Sequence, residues 1–311
     1  MHTILGAGGP ISKALAKELA QSGIKANLAS RREIKTRPSE TWIRTDLLNE
    51  KDVLNATKGS EVIYLCAGLV YDKRIWREQW PVVMQNVITA SKAAQARLIF
   101  FDNVYMYGKV DGPMLESTPY NPCSEKGEVR AKIATRLMEE VKAGHLLASI
   151  ARSADFYGAT DTMNSFFDMM VLDKYSKKEK AMWLGNPETL HSFTYVPDAG
   201  KAMFLLGQES TSDNQIWHLP TARAITGKEF INTAAGIFKV KPSYMKVNKL
   251  MLRALGLFNK AIEGTVEMYY QYQHNYHFDS SKFENHFSFH PTTYKEGIEH
   301  LFSTYYKAER D

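Results

Sequence analysis

Cysteine is scarce in this chain: Cys66 and Cys123 are the only two. Two cysteines cannot build a disulfide framework, and neither stands at metal-ligand spacing from another Cys or His. Long apolar runs are missing as well; none reaches the ~18 residues of a membrane span. The N-terminus lacks the basic-then-apolar pattern of a signal peptide. Charge is not gathered into blocks: the net charge of +5 is dispersed. The densest group, Lys174, Lys177, Lys178 and Lys180, alternates with Asp173 and Glu179, the pattern of a solvated helix end rather than a nucleic-acid patch. No internal repeat, low-complexity tract or Gly-x-Ser-x-Gly elbow occurs. These absences lead us to expect a cytoplasmic protein with a small-molecule substrate and with neither a membrane nor a nucleic-acid partner.

What is present is a core. Apolar residues make up 44% of the 311 positions, enough to bury a large interior. In the first half, short apolar runs alternate with helical patterns. Strands are expected at Thr3–Leu5, Lys25–Ala29, Trp42–Arg44, Val62–Cys66, Leu98–Phe101 and Leu146–Ile150. Helices are expected at Pro10–Gln21, Val53–Thr57, Trp76–Ala94 (interrupted at Pro81) and Glu128–Lys142, the last stopped by Gly144. Continuous apolar strands separated by helices predict a parallel sheet covered on both faces. After about Ala151 helices dominate, with short strands at Ala181–Leu184, Phe193–Val196 and Ile216–Leu219. Thr226 and Glu229 form a capping box, and Lys249–Tyr276 reads as helical. The expected architecture is α/β, a Rossmann-type doubly wound parallel sheet with a smaller C-terminal α/β substrate domain. Residues 1–152 would form the dinucleotide-binding domain, with some later segments returning to it, and 153–311 mostly the substrate domain.

The first strand runs into Gly6-Ala7-Gly8-Gly9-Pro10-Ile11-Ser12. Glycines allow a tight turn and let backbone N–H groups approach a pyrophosphate, which then faces the positive end of the following helix. Pro10 suits the first helical position. Ser12 stands where the fingerprint usually has a third glycine. NAD binders place an acid about 20 residues past the loop, to accept from the ribose 2′-hydroxyl. Here the second strand ends in Ser30, Arg31 and Arg32, with no carboxylate before Glu33. Guanidinium groups there would pair with a 2′-phosphate, so NADP(H) is expected over NAD(H).

These motifs resemble the extended short-chain dehydrogenase/reductase superfamily, the group of NAD-dependent epimerases and dehydratases. The resemblance spans nearly the whole chain. Asp46-Leu47 resembles the pair that contacts adenine, and Cys66-Ala67-Gly68 falls where the fourth strand meets the cofactor. The segment around Asn86 resembles the Asn-Val helix signature. The stretches ending Tyr107-Gly108 and Tyr157-Gly158, and that running from His191 to Asp198, resemble later family segments. The family's catalytic set is Ser or Thr, then Tyr-x-x-x-Lys. Lys132 is taken at the lysine position, where it would hold the nicotinamide ribose. That register puts Glu128 in place of the tyrosine and Asn103 in place of the serine. Asp102, Tyr105, Asp155 and His191 fall at positions expected to line the substrate pocket, with His191 where nucleotide-sugar members carry an arginine. The resemblance implies an atypical NADP(H)-dependent oxidoreductase or epimerase acting on a small carbonyl or alcohol. A redox-sensing NADP(H)-binding module without turnover and a nucleotide-sugar epimerase or dehydratase are the alternatives. A homodimer is expected by the same analogy.

Overall fold

The computed structural model describes residues 1–159 and 165–307. Seven strands form the central sheet: β1 (His2–Leu5), β2 (Ala26–Ser30), β3 (Glu40–Arg44), β4 (Val62–Leu65), β5 (Arg97–Asp102), β6 (Ala148–Arg152) and β7 (Ile216–His218). Their spatial order is β7-β6-β5-β4-β1-β2-β3, and every pairing is parallel. β1 and β4 are buried at every position, as a sheet covered on both faces requires; β4 is apolar throughout, while β1 buries His2 and Thr3 against the hydroxyls of Tyr64 and Ser60.

Helices α1 (Pro10–Gln21) and α5 (Val196–Gln208) cover one face; α2 (Glu50–Thr57), α3 (Lys73–Ala94) and α4 (Glu125–Lys142) cover the other. α1 buries Ile11, Leu15, Ala16 and Leu19 on one stripe. It lies so close to α5 that a Cβ on Gly200 would sit 2.4 Å from the Ala14 Cβ. α3 runs unbroken through Pro81, contrary to the expected interruption. The proline is exposed, so the carbonyl it leaves unbonded can turn to water.

The strand at Ile216–His218 belongs to the central sheet, beside β6, and not to the C-terminal lobe where sequence order alone would put it. Arg97 at the start of β5 fixes this return: its guanidinium grips Asp213 at 2.7 Å and donates to the carbonyls of Leu206, Gly207 and Glu209. The C-terminal lobe is built on an aromatic core around Phe167, Phe193 and Phe230. Helix α6 (Gly227–Phe238) starts at the expected Thr226–Glu229 capping box. The expected long helix over Lys249–Tyr276 is divided into α7 (Lys249–Gly256), α8 (Lys260–Val266) and a single turn at Tyr269–Tyr272. Gly256 lets the two helices meet closely, since a Cβ there would lie 3.0 Å from the Glu263 Cα.

Candidate functional site

All the site elements lie at the carboxyl ends of the parallel strands, where the strand order reverses between β1 and β4. Gly6 follows β1 with φ +80°, and a Cβ there would fall 2.5 Å from the Cα of Ala67 on the β4 loop. Only glycine permits that approach. The amides of Gly6 and Ala7 both donate to the Ala29 carbonyl at 3.0 Å, which pins the turn to β2. Gly8 has φ +107°. Gly9 caps α1 without any side-chain bond, so the first-turn amides after Pro10 are left for an outside acceptor. Ser12 turns its hydroxyl into the loop. It accepts from the Gly8 amide at 3.0 Å and donates to the Gly9 carbonyl at 2.8 Å, which accommodates a residue larger than glycine.

Beside the loop opens a cleft of ≈ 520 Å³, lined by Gly8, Leu28, Ile34, Lys35 and Thr36 among others. Ser30 fixes the turn that leads from β2 toward Ile34 and Lys35: its hydroxyl donates to the Arg32 carbonyl and accepts from the Trp42 indole. Lys35 is exposed on its lining, and Arg31 and Arg32, which precede that lining segment in the chain, are exposed as well. Lys35 was not singled out in the sequence, because it lies beyond the strand end where the fingerprint is read. Asp46 and Leu47 form the next rim. Asp46 accepts from the Leu48 amide at 3.1 Å, and buried Asn86 of α3 donates to the Leu47 carbonyl at 2.9 Å. Two motifs distant in sequence thus meet. Cys66 is buried below Ala67 and Gly68, and burial pushes its thiol up to about 12, so it is no nucleophile.

The register of α4 corrects the expected catalytic set. Glu128 and Lys132 are both exposed. The face turned inward carries Lys126, Val129, Arg130, Ile133 and Leu137, and Lys126 and Arg130 share the i, i+4 spacing that Glu128 and Lys132 were expected to supply. The apolar stripe decides the register: with Val129, Ile133 and Leu137 against the sheet, Glu128 and Lys132 must point away. The same stripe was available in the sequence and would have picked out Lys126 and Arg130. Gly127 confirms the tight seat, since a Cβ there would lie 2.6 Å from the Tyr105 carbonyl oxygen.

Lys126 has a side chain with no exposure. Its Nζ donates to Glu267 Oε1 at 2.6 Å and to the Gly264 carbonyl at 2.9 Å, and lies 4.2 Å from the centre of the Tyr71 ring. Tyr71 in turn donates to the Tyr105 hydroxyl at 3.1 Å. Arg130 lies 4.0 Å from the Trp80 ring and 3.2 Å from Asp102 Oδ1. Asn103 uses its Oδ1 to accept from the Tyr105 amide at 3.1 Å, which leaves its amide nitrogen as a donor.

Two expected pocket residues are buried instead. Asp102 is 1% exposed and sits between Arg130 and Arg152 as their shared counter-ion. Its burial pushes the carboxyl up against the pull of both guanidiniums. His191 is 2% exposed, stacked 4.3 Å from the Tyr276 ring centre, with Nε2 3.0 Å from Asp155. Its ring is enclosed by aromatics of the C-terminal lobe, a placement that sequence position could not show. Half-exposed groups remain: Tyr105 and Asp155, the latter also accepting from Tyr272 at 3.3 Å. Tyr107 packs as a structural residue. It accepts from Arg152 at 2.6 Å and lies 2.8 Å from His218 Nε2. Among the described residues no cluster of His, Cys, Asp or Glu could hold a metal.

The model of the NAD dependent epimerase/dehydratase family matches residues 2–219, from β1 through β7. The chain belongs to that family. Its members are NAD-dependent enzymes, so a nicotinamide dinucleotide is the cofactor class of this fold. Among solved structures, MoeE5 in complex with UDP-glucose and NAD is similar at TM-score 0.78 and 21% identity, over 99% of this chain and 98% of that one. The dTDP-glucose 4,6-dehydratase of Bacillus anthracis str. Ames with NAD reaches TM-score 0.81 at 15% identity, over 100% and 98%. The Thermus thermophilus UDP-glucose 4-epimerase with NAD reaches 0.77 at 15% identity, over 99% of each chain. At these identities the likeness is one of fold. No curated protein matches the chain in sequence.

The described residues fit a dinucleotide. A Cβ added at Gly68 would meet nothing within 4 Å, and one at Gly9 only the Ser12 hydroxyl at 3.9 Å. That is the space a pyrophosphate needs in front of α1.

Proposed function

We propose that this chain binds NADP(H) and supports hydride transfer to or from a small carbonyl or alcohol compound, seated between the end of β5 and the C-terminal lobe. The observation that carries this reading is the inward pair Lys126 and Arg130 on α4. They stand at the spacing at which the family places its tyrosine and lysine. When bound, the nicotinamide supplies or accepts the hydride. Arg130, cationic and buried, would lie where the family's lysine holds the ribose. The Lys126 ammonium would lie toward the reacting oxygen, able to donate a hydrogen bond and, in the reducing direction, a proton. The free amide nitrogen of Asn103 would orient the same oxygen. NADP(H) is favoured over NAD(H) by Ser30 in the acidic position, by exposed Arg31 and Arg32 just after β2, and by Lys35 on the cleft lining. Nucleotide sugars are named for the neighbours. Here the segment that would meet a diphosphate offers His191, buried and held by Asp155, which favours a smaller substrate.

One observation supports a second reading, in which the cofactor is bound without turnover. The Lys126 ammonium is already engaged by Glu267, the Gly264 carbonyl and the Tyr71 ring. One experiment separates the two. The full chain is titrated with NADPH and NADH, then given a panel of carbonyl compounds at saturating NADPH while the reduced nicotinamide is followed by absorbance. Tighter NADPH binding is expected, with consumption that disappears in Lys126→Met. Binding without consumption leaves the second reading standing, and NADH binding as tight as NADPH overturns the cofactor assignment.

A further inference from the structure

The hairpin of α7 and α8 presents side chains that the rest of the chain leaves uncovered. Leu250 is 72% exposed, Leu257 83% and Phe258 91%. Leu255 and Met251 add to the same projection. α7 touches the body mainly through Leu252, which enters the aromatic core of the lobe, and through Gly256, which packs on α8. An apolar tip of this kind on a folded domain marks a contact site.

The charge along this stretch of chain indicates the contact. From Glu229 to Glu263 no acidic residue intervenes, while Lys239, Lys241, Lys246, Lys249, Arg253 and Lys260 all fall in that interval. All six are exposed, and none forms an ion pair among the described residues. Arg253 and Lys260 flank the Leu257-Phe258 tip. A second copy pairing through this tip would bring the hairpin's own Lys249, Arg253 and Lys260 against their counterparts, a like-charge juxtaposition that opposes pairing. A nucleic acid would meet the cations but offer nothing to Leu250 and Leu257. An anionic bilayer answers both features, with acyl chains for the tip and acidic headgroups for the cations.

We propose that the α7–α8 hairpin docks this protein on an anionic lipid surface, with Leu257 and Phe258 inserted at the headgroup boundary. No helix among the described residues is long and apolar enough to cross a membrane. The expectation of no membrane partner rested on that absence, and a contact lying on the surface needs no spanning segment. The docked hairpin would also adjoin the candidate site, because α8 contains Gly264 and leads directly to Glu267, the two residues that hold Lys126.

The test is co-sedimentation of the full chain with vesicles of phosphatidylcholine alone, or of one part phosphatidylserine to two parts phosphatidylcholine. Binding is expected only to the phosphatidylserine vesicles and weakens with salt. Leu257→Asp with Phe258→Asp abolishes it, and the exposure of both residues predicts an unchanged melting temperature. Lys249→Gln with Arg253→Gln lowers the partition coefficient about 25-fold, at roughly fivefold per cation near an anionic leaflet. Absence of binding, equal binding to both vesicle types, or binding indifferent to these variants overturns the proposal. So does a dimer in light scattering that the Leu257→Asp, Phe258→Asp variant dissociates.

Discussion

Replacing Glu267 by glutamine should cost more stability than replacing Lys126 by methionine, although both break the same ion pair. Lys126 is wholly buried, while Glu267 keeps 20% of its side-chain exposure. Removing the carboxylate's charge leaves a cation inside the protein faced by neutral groups: the new amide oxygen, the Gly264 carbonyl at 2.9 Å and the Tyr71 and Trp76 rings. Stranding one member of a buried pair costs about 3–5 kcal/mol, and the partial exposure of Glu267 lowers this to about 2–3 kcal/mol. Removing Lys126 instead leaves a carboxylate that can reach water and still accepts from the Glu125 amide at 2.9 Å, so about 1 kcal/mol is expected. The double variant should resemble Lys126→Met, giving a coupling of about 2–3 kcal/mol of opposite sign to the single losses. Urea unfolding followed by tryptophan fluorescence at neutral pH reads all four corners of the cycle. Single effects that add in the double variant, or a Glu267→Gln loss under about 0.5 kcal/mol, would refute the claim that Lys126 depends on the C-terminal segment.

His218 sets an acid limit. Burial holds its imidazole down to about 3, and the ring lies between Tyr107 at 2.8 Å and the Asp279 carbonyl at 2.7 Å. A histidine depressed in the fold contributes stability that is complete above its unfolded value near 6.5. That contribution is lost as pH falls toward the folded value, at about 1.4 kcal/mol per pH unit. Urea midpoints measured from pH 7 to 4 should show the slope, and His218→Asn should flatten it. Gly6→Ala should cost about 2–4 kcal/mol in thermal or urea unfolding and weaken NADPH binding, because its Cβ meets Ala67 at 2.5 Å and its φ is +80°. Ser30→Asp with Arg31→Ala should shift the ratio of NADPH to NADH affinity at least about tenfold toward NADH, since each charge-assisted bond lost or repulsion gained is worth about 1.5–3 kcal/mol. An unchanged ratio in titration calorimetry would remove Arg31 from the cofactor site.

Much of the central sheet was legible because its strands are short apolar runs bounded by turns. Val62–Leu65 and the Gly6–Ser12 loop could be placed from residue type alone. The match weakened wherever two placements shared one local pattern. α4 offers basic residues on two faces, and a register taken from Lys132 satisfied the spacing rule as well as one taken from Lys126. Burial of Val129, Ile133 and Leu137 separated the two. The polarity of Asp102 and His191 suggested a pocket wall, but partners distant in sequence enclose both: Arg130 and Arg152 for one, Asp155 and Tyr276 for the other.

Residue type and order alone establish that the chain is α/β, that its first strand runs into a glycine-rich turn before a helix, and that cations follow its second strand. Each of these is a property of neighbouring residues: apolar periodicity, glycine conformational freedom, and charge at a strand end. Tertiary structure decided that Ile216–His218 joins the parallel sheet, that Lys126 and Arg130 rather than Glu128 and Lys132 face inward, and that Glu267 closes over the lysine. Those outcomes depend on which helix face the core covers and which distant segment supplies a counter-charge, and neither is encoded in local spacing.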